Sequence, residues 1–535
     1  MPLTRRTFLN RVGQTGGAVA LHGVMRALDL AAPAAAEAFS PIGTAPAGRS
    51  GAANRVIVIG AGLAGLTTAY ELRKLGYTVE VLEARGRTGG RCFTVRGGTA
   101  SEEDGPKQTC KFDPDLYINA GPARIPHSHA ITLAYCKELG VPLEVFTSVN
   151  EAAYVHQSAP KDTACTKLRL KEIRADWRGY TSELLAKAVT KDSLDRQMTK
   201  EDRDRIIDWL KRERQLDGEL RYKGTNRRGW RVAQGAANNA GTASDPLGFE
   251  QLLLTDAGTT LPIELMLQMP MLQPVGGMDR IAKALTERVP NVTLGVDVQA
   301  IEQPAGRVRV KYRDAKGADK VMDGAFVVCA LPLPVLRDMN VDVVPEMKTA
   351  IAAINYSKTG KIGIQFKRRF WEEDDGIYGG ISKTDQPITQ ILYPSYGYQS
   401  KKGVLVGYYH NGELAGAMGE LAPEARLARA MEQGAKLHPQ YPTEFENAFS
   451  IAWHRVPYNR GGWAQYSEAQ RRNEYQRLLE PDRNVYLAGD HLTYLGGWMA
   501  GAFESARRVV SAIHERASRE AGTALTASSP HQQPQ

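Results

Sequence analysis

The sequence predicts an α/β protein whose parallel-sheet domain is assembled from separated stretches of chain, accompanied by a mixed-sheet domain and a helical insertion. Three observations predict it. A strand, glycine turn, helix and second strand follow one another from Arg55 to Glu83. Strand and helix patterns of the same kind return at 270–338 and 480–516. Between them, residues 150–269 are charged, helix-favouring and aromatic-bearing, and a gap of that size inside one domain implies structure of its own.

The first element is RVIVIGAGLAGLTTAYELRKLGYTVEVLEARGRTGGR, Arg55 to Arg91. An apolar strand, Val56 to Ile59, enters a turn with Gly60, Gly62 and Gly65. A helix follows, then a strand from Thr78 to Leu82 that ends on Glu83. A lone GxGxxG is weak evidence, but here the flanking elements are those that the dinucleotide fingerprint requires. Gly60 permits the tight turn, Gly62 lets backbone approach a pyrophosphate, and Gly65 lets helix and strand pack closely. The helix N-terminus offers unpaired N–H groups to the phosphates. Glu83, 18 residues past Gly65, can accept a hydrogen bond from a ribose hydroxyl. The run GRTGGR (Gly86 to Arg91) adds a second backbone approach to phosphate, with Arg87 or Arg91 adding charge.

Before that element, Thr4 to Leu9 form a twin-arginine pattern, and Val12 to Ala32 are modestly apolar. Ala36-Glu37-Ala38 offers a cleavage site. Residues 1–38 therefore read as an export signal, and 39–53, rich in Pro, Gly and Ser, as a linker. The expected location is periplasmic or secreted in a bacterium, by a route that carries folded proteins. No stretch has the length and apolarity of a membrane helix.

The chain has 535 residues, 42% of them hydrophobic, enough for several domains with large cores. The net charge of +9 invites a nucleic-acid reading. Basic and acidic residues alternate, however, as in Lys200 to Arg214, which is the pattern of a solvated helix face. No nucleic-acid partner is expected. Five scattered cysteines (Cys92, Cys110, Cys136, Cys165, Cys329) lack CxxC spacing and read mostly as packed thiols. His127 and His129 have no third ligand close in sequence, so no metal is expected, and without HExxH, P-loop or GxSxG motifs zinc hydrolysis, NTP chemistry and the usual serine-hydrolase route have no support.

Further along, YINAGPARIPHSH (Tyr117 to His129) holds a rigid Gly-Pro pair and one arginine, Arg124, a planar donor suited to a carboxylate. Residues 126–149 and 339–479 read as the second domain, on strands such as Lys361 to Trp371 and Gly403 to His410. LAGDHLTYLGGWMAGAFESARRVV (Leu487 to Val510) reads as the end of a strand, a glycine-rich turn and a helix. Asp490 can hold polar atoms there, Gly496 and Gly497 allow close approach, and Trp498 supplies a wall. The helix aims its N-terminal dipole at that turn. Residues 517–535 read as a disordered tail.

GRTGGR resembles the glutathione-reductase-like FAD proteins. With GPARIP and the Asp490 to Trp498 turn, the chain from 54 to 515 resembles the flavin amine oxidase family, most closely its L-amino acid oxidase branch. The resemblance implies a discontinuous Rossmann-like FAD-binding domain made of 54–125, 270–338 and 480–516. It also implies site residues that spacing alone does not single out. Arg124 matches the arginine that clamps a substrate carboxylate, Tyr408 a tyrosine that supports it, and Lys361 the catalytic lysine holding a water near flavin N5. Gly497 matches the carbonyl that receives the amine. Trp453 and Trp498 match aromatics near the flavin, and Val298 the residue whose backbone holds adenine. The implied cofactor contacts are Gly60, Gly62, Gly65, Glu83, Arg85, Arg91, Gly121, Pro122, Ala123, Arg124, Val298, Trp453, Gly489, Asp490, Gly497, Trp498 and Met499.

Asp490 stands where this branch commonly has Glu. The turn at Gly496-Gly497-Trp498 lacks the cysteine that binds flavin covalently in monoamine oxidases, so non-covalent FAD is expected. The implied reaction is oxidative deamination of an L-amino acid by molecular oxygen, in a homodimer or higher homo-oligomer. Oxidation of simple amines or polyamines, an amino-acid dehydrogenase using another acceptor, and a flavin-bearing protein that has lost catalysis are the alternatives.

Overall fold

The structure is a computed structural model and describes residues 55–158, 166–191, 198–212, 216–232, 234, 241–253 and 270–527. Three distant stretches meet in one five-stranded sheet, in the order Val292–Leu294, Thr78–Glu83, Arg55–Ile59, Phe326–Cys329 and Val485–Leu487. Every pairing is parallel. A parallel sheet is covered on both faces, which is why VIVI and FVVC are unbroken apolar runs rather than alternating ones. On one face lie the helices Leu63–Lys74 and Met499–Ala527, whose Leu66, Ala69, Leu72, Phe503 and Val510 share a core with Val56 and Val58. On the other face, Ile57, Ile59 and Val327 pack against a four-stranded sheet through Ile301, Val308 and Val310.

The first glycine turn is held by backbone contact. A Cβ on Gly65 would lie 1.9 Å from the Gly60 carbonyl oxygen, so helix and strand meet at a distance only glycine permits. The second glycine pair stacks on this turn: Gly89 N–H donates to the Ala61 carbonyl at 2.8 Å, and Gly89 bridges to Gly62. Part of what GRTGGR does is therefore to buttress the first turn.

The second domain is a seven-stranded mixed sheet. Its order is Phe445–Ala452, Thr359–Phe366, Gly403–Asn411, Gln390–Tyr393, Gly380–Thr384, Tyr154–Gln157 and Thr166–Arg169. The last two strands lie within the stretch expected to be a helical insertion, so that boundary is corrected. Tyr154 and Val155 are buried, and both strands extend the sheet edge. The insertion proper carries helices Leu170–Thr190 and Lys200–Arg212. It folds around a buried carboxylate, Asp176, which pairs with Arg228 and accepts from Tyr222 Oη at 2.8 Å and Leu247 N–H at 2.9 Å.

A further correction concerns the C-terminus. The last helix runs through Ala527, where a disordered tail was expected from residue 517, because alanine, arginine, glutamate and leucine favour continued helix. The export signal, the linker, residues 235–240, Cys165 and residues 528–535 lie outside the described residues. Cys92, Cys110, Cys136 and Cys329 are buried free thiols. Among the described residues no helix is long and apolar enough to cross a membrane, and no group of three or more His, Cys, Asp or Glu could hold a metal ion.

One buried ion pair fastens the two domains. Arg426, on helix Pro423–Gly434, donates two hydrogen bonds to Glu103 at 2.9 and 2.7 Å, and Glu103 also accepts from Ala452 N–H at 2.8 Å. Arg426→Ala leaves a buried carboxylate without its cation. It should lower the unfolding free energy by about 3–5 kcal/mol, measured by urea denaturation.

Candidate functional site

The four apolar strands of the parallel sheet end at one cavity of about 580 Å³. Ile59-Gly60, Leu82-Glu83, Ala330-Leu331 and Gly489-Asp490 lie at or just past those ends and line it, the position where open parallel sheets bind ligands. The N-termini of both long helices also reach it, through Gly62-Leu63-Ala64 and Trp498-Met499. No atom outside its chain neighbours lies within 4 Å of where a Gly62 Cβ would sit, so backbone faces open space at the helix start.

Glu83 is fixed by its own chain. Its carboxylate accepts from Ala61 N–H at 2.7 Å and Arg85 N–H at 3.0 Å. The strand Asp297–Glu302 carries a bulge between Val298 and Ala300, which turns Val298 and Gln299 into the cavity.

The arginines of the GRTGGR region are not free donors. Arg85 bonds Glu102 at 3.0 Å and the Asn459 side chain. Arg87 bonds Glu102 at 2.6 and 2.8 Å and lies 3.7 Å from the Phe93 ring centre. Arg91 pairs with Asp490 and donates to the Gly462 carbonyl. Asp490 in turn accepts from Gly497 N–H at 2.9 Å. Burial alone would raise the Asp490 carboxyl, but Arg91, His491 and the Gly497 N–H outweigh it and hold the group below the usual carboxylate range.

At the far end of the cavity stands Lys361, on the fully buried strand Thr359–Phe366. Its ammonium donates to the Asn119 carbonyl at 3.0 Å and to the Gly121 carbonyl. Burial first, and then the charge of Arg124, push it down to about 7. Arg124 is half-buried, its guanidinium 5.9 Å from the Phe146 ring centre, and its field also reaches Tyr409. Trp453 Nε1 donates to the Ala120 carbonyl at 2.9 Å and so ties this end to the Gly-Pro-Ala-Arg segment.

The structure corrects one expected substrate contact. Tyr408 pairs with Ile362 and packs in the core behind the sheet, its ring stacked 4.6 Å from that of His410. Tyr409 pairs with Lys361, faces the cavity, and places its ring 4.5 Å from the ammonium. A strand alternates faces at every residue, so the neighbouring tyrosine takes the place expected for Tyr408. Gly65 serves the turn from behind and is not on the wall, nor are Ala123 and Arg124; the remaining expected contacts line the cavity.

Other lining residues were not read from the sequence. Gly461-Gly462-Trp463 repeats the Gly-Gly-Trp of 496–498, and the two meet: a Cβ on Gly497 would lie 3.3 Å from the Trp463 ring. That repeated tripeptide is a signal that could have found Trp463. The neighbouring stretch 457–460 carries no such signal.

The chain belongs to the flavin containing amine oxidoreductase family, whose description matches residues 63–514. It is 27% identical to the flavin-dependent L-tryptophan oxidase RebO of Lentzea aerocolonigenes, over 86% of this chain and 98% of that protein. It is also 27% identical to an L-amino-acid oxidase of Pseudechis australis, over 87% and 88% respectively. In structure it is similar to a putrescine oxidase solved with putrescine, with a TM-score of 0.58 at 18% identity, covering 87% of this chain and 99% of that one. That likeness is one of fold.

The site fits the flavin that family membership implies. Beyond the open backbone at Gly62, His491 lines the cavity with neither buried ring nitrogen hydrogen-bonded among the described residues, and burial keeps it neutral by lowering it to about 4.

The position of Lys361 makes stability depend on pH. Below about 7 the lysine is protonated in the folded and the unfolded chain alike, and its burial cost is carried in full. Between about 7 and the ordinary lysine value of 10.5, the unfolded chain binds more protons, so stability rises with pH. Denaturant midpoints of the unaltered protein should climb across that window relative to Lys361→Met. A constant difference would count against the assignment.

Proposed function

We propose that this flavin amine oxidoreductase binds FAD non-covalently and oxidatively deaminates L-amino acids to 2-oxo acids, with oxygen as the acceptor. The observation that carries this reading is that Lys361 and Tyr409 line one end of the cavity while Arg124, set behind that wall, lies close enough for its charge to act on both. The Arg124 guanidinium and the Tyr409 phenol suit an anionic substrate group. A simple amine or diamine has no use for that guanidinium.

Arg124 supplies the planar donor that binds the α-carboxylate, and the Tyr409 hydroxyl adds a hydrogen bond to it. The carbonyl of Gly497, between Trp463 and Trp498, accepts from the substrate amine. Holding both ends of the amino acid orients its Cα–H towards the flavin, and orientation of this kind accounts for much of the rate. When bound, FAD would supply the two-electron acceptor chemistry, with oxygen as the final acceptor and hydrogen peroxide as its product. Lys361, near its midpoint at neutral pH, holds a water through Nζ and can pass a proton during imine hydrolysis or reoxidation. Hydrolysis of the imino acid gives the 2-oxo acid and ammonia.

The Gly496-Gly497-Trp498 turn offers no thiol for a covalent link. Acid precipitation should therefore leave the flavin in the supernatant, measured by its absorbance; flavin retained on the precipitated chain would overturn this part.

Peroxide release from a panel of L-amino acids, set against the amines formed by removing their carboxylates, tests the substrate. Arg124→Ala should raise KM for amino acids about tenfold or more while flavin content holds. Tyr409→Phe should raise KM and Tyr408→Phe should not. Equal turnover of the matched amines, or an unchanged KM in Arg124→Ala, would favour an amine oxidase.

A further inference from the structure

The stretch Pro457–Trp463 belongs to the second domain by sequence, yet six of its seven residues line the cofactor cavity. It leaves the sheet after strand Phe445–Ala452 and the short turn Trp453–Arg455. It is a formed loop. The Val456 carbonyl accepts from Asn459 N–H and Arg460 N–H, both at 2.9 Å, and Gly461 N–H returns to the Trp453 carbonyl at 3.2 Å. Arg460 holds a left-handed conformation with φ of 52°. The end of the loop is sewn to its own domain, where Ser357 N–H donates to Trp463 and Gly462 N–H to Ser357, both at 2.8 Å.

Its side chains and carbonyls reach the other domain at three points. Arg85, buried beside Glu83, donates to Asn459 Oδ1, and the ring of Tyr458 lies 5.4 Å from the same guanidinium. Arg460 pairs with Asp338 and donates to the Pro334 carbonyl at 3.2 Å. Arg91 donates to the Gly462 carbonyl. Arg85, just before GRTGGR, and Arg91, its last residue, thus hold the loop together with Asp338. A ligand whose pyrophosphate lies at Gly62 and whose ribose lies at Glu83 shares its cavity with these pins.

We propose that Pro457–Trp463 is a cofactor latch: it retains a non-covalently bound flavin dinucleotide, and its pins to Arg85, Asp338 and Arg91 must part before the cofactor leaves. Asn459 and Arg460 are its positioning residues. The inference rests on the FAD reading and is independent of the substrate.

The test is the rate at which flavin leaves the loaded protein, followed in the absence of substrate by the fluorescence of freed FAD after dilution. Asn459→Ala removes the buried acceptor of Arg85 and should speed release about tenfold or more. Asn459→Asp keeps an acceptor there and should restore slow release. Arg460→Ala removes an outer pin whose two side chains are exposed, and should also speed release. Asp338→Ala should do the same, with no further gain in the double variant, since both break one pair. Arg309→Ala, which breaks an exposed pair with Asp323 on the four-stranded sheet, should leave the rate unchanged. Release from Asn459→Ala or, if that variant does not fold, from Arg460→Ala at the rate of the unaltered protein would overturn the latch. Failure of the amino-acid reading would appear only in the substrate panel.

Discussion

The interaction on which the site depends is the pairing of Arg91 with Asp490, two residues separated by 399 positions. Each partner is also fixed by backbone. The carbonyl of Arg91 lies where a Cβ on Gly121 would come within 1.8 Å, so the Gly-Pro-Ala-Arg segment presses directly on the arginine's own peptide. The Asp490 carboxylate accepts from Gly497 N–H, which sets the turn before the last helix. The arginine's other end holds the Gly462 carbonyl. Four distant segments of the cavity wall are therefore referenced to one ion pair. Such a pair contributes more to uniqueness than to stability, because its desolvation offsets much of its attraction, while losing one partner strands a buried charge.

The aspartate at 490, where the family resemblance leads one to expect glutamate, takes on meaning in this frame. The shorter side chain is engaged with Arg91 and Gly497 and acts as a joint of the wall. The orphaned His491 beside it is one polar group that still faces the cavity. In the same way, the arginines near GRTGGR, read as phosphate donors from sequence, hold protein partners: Glu102, Asn459, Asp490 and the Gly462 carbonyl. Charge near a nucleotide site organises the walls as well as the ligand.

The cofactor half of the site was legible because its signals are local. The Gly60 turn, the Glu83 strand end and the Gly497 turn each lie within one strand–turn–helix, where glycine has a steric reason to be present. The Lys361 end was less legible. Lys361, Arg124 and Tyr408 follow from resemblance alone, and nothing in LVGYY says which tyrosine faces the cavity. That choice is made by the register against Lys361 and by the bulge between Ile362 and Gly363. The strands at 154–157 and 166–169 were missed because they form a sheet edge inside a polar, helix-rich stretch.

The sequence by itself determined that a parallel sheet is built from three separated pieces, that a glycine turn of the dinucleotide-binding pattern follows its first strand, and that an arginine follows a Gly-Pro pair. These follow from short-range sterics, which residue types and spacing encode. Only the tertiary structure decided which tyrosine stands by Lys361, that Trp463 closes on Gly497, and that Pro457–Trp463 crosses from one domain to line the other's cavity. Those depend on strand register and on contacts between segments hundreds of positions apart, and no local pattern specifies either.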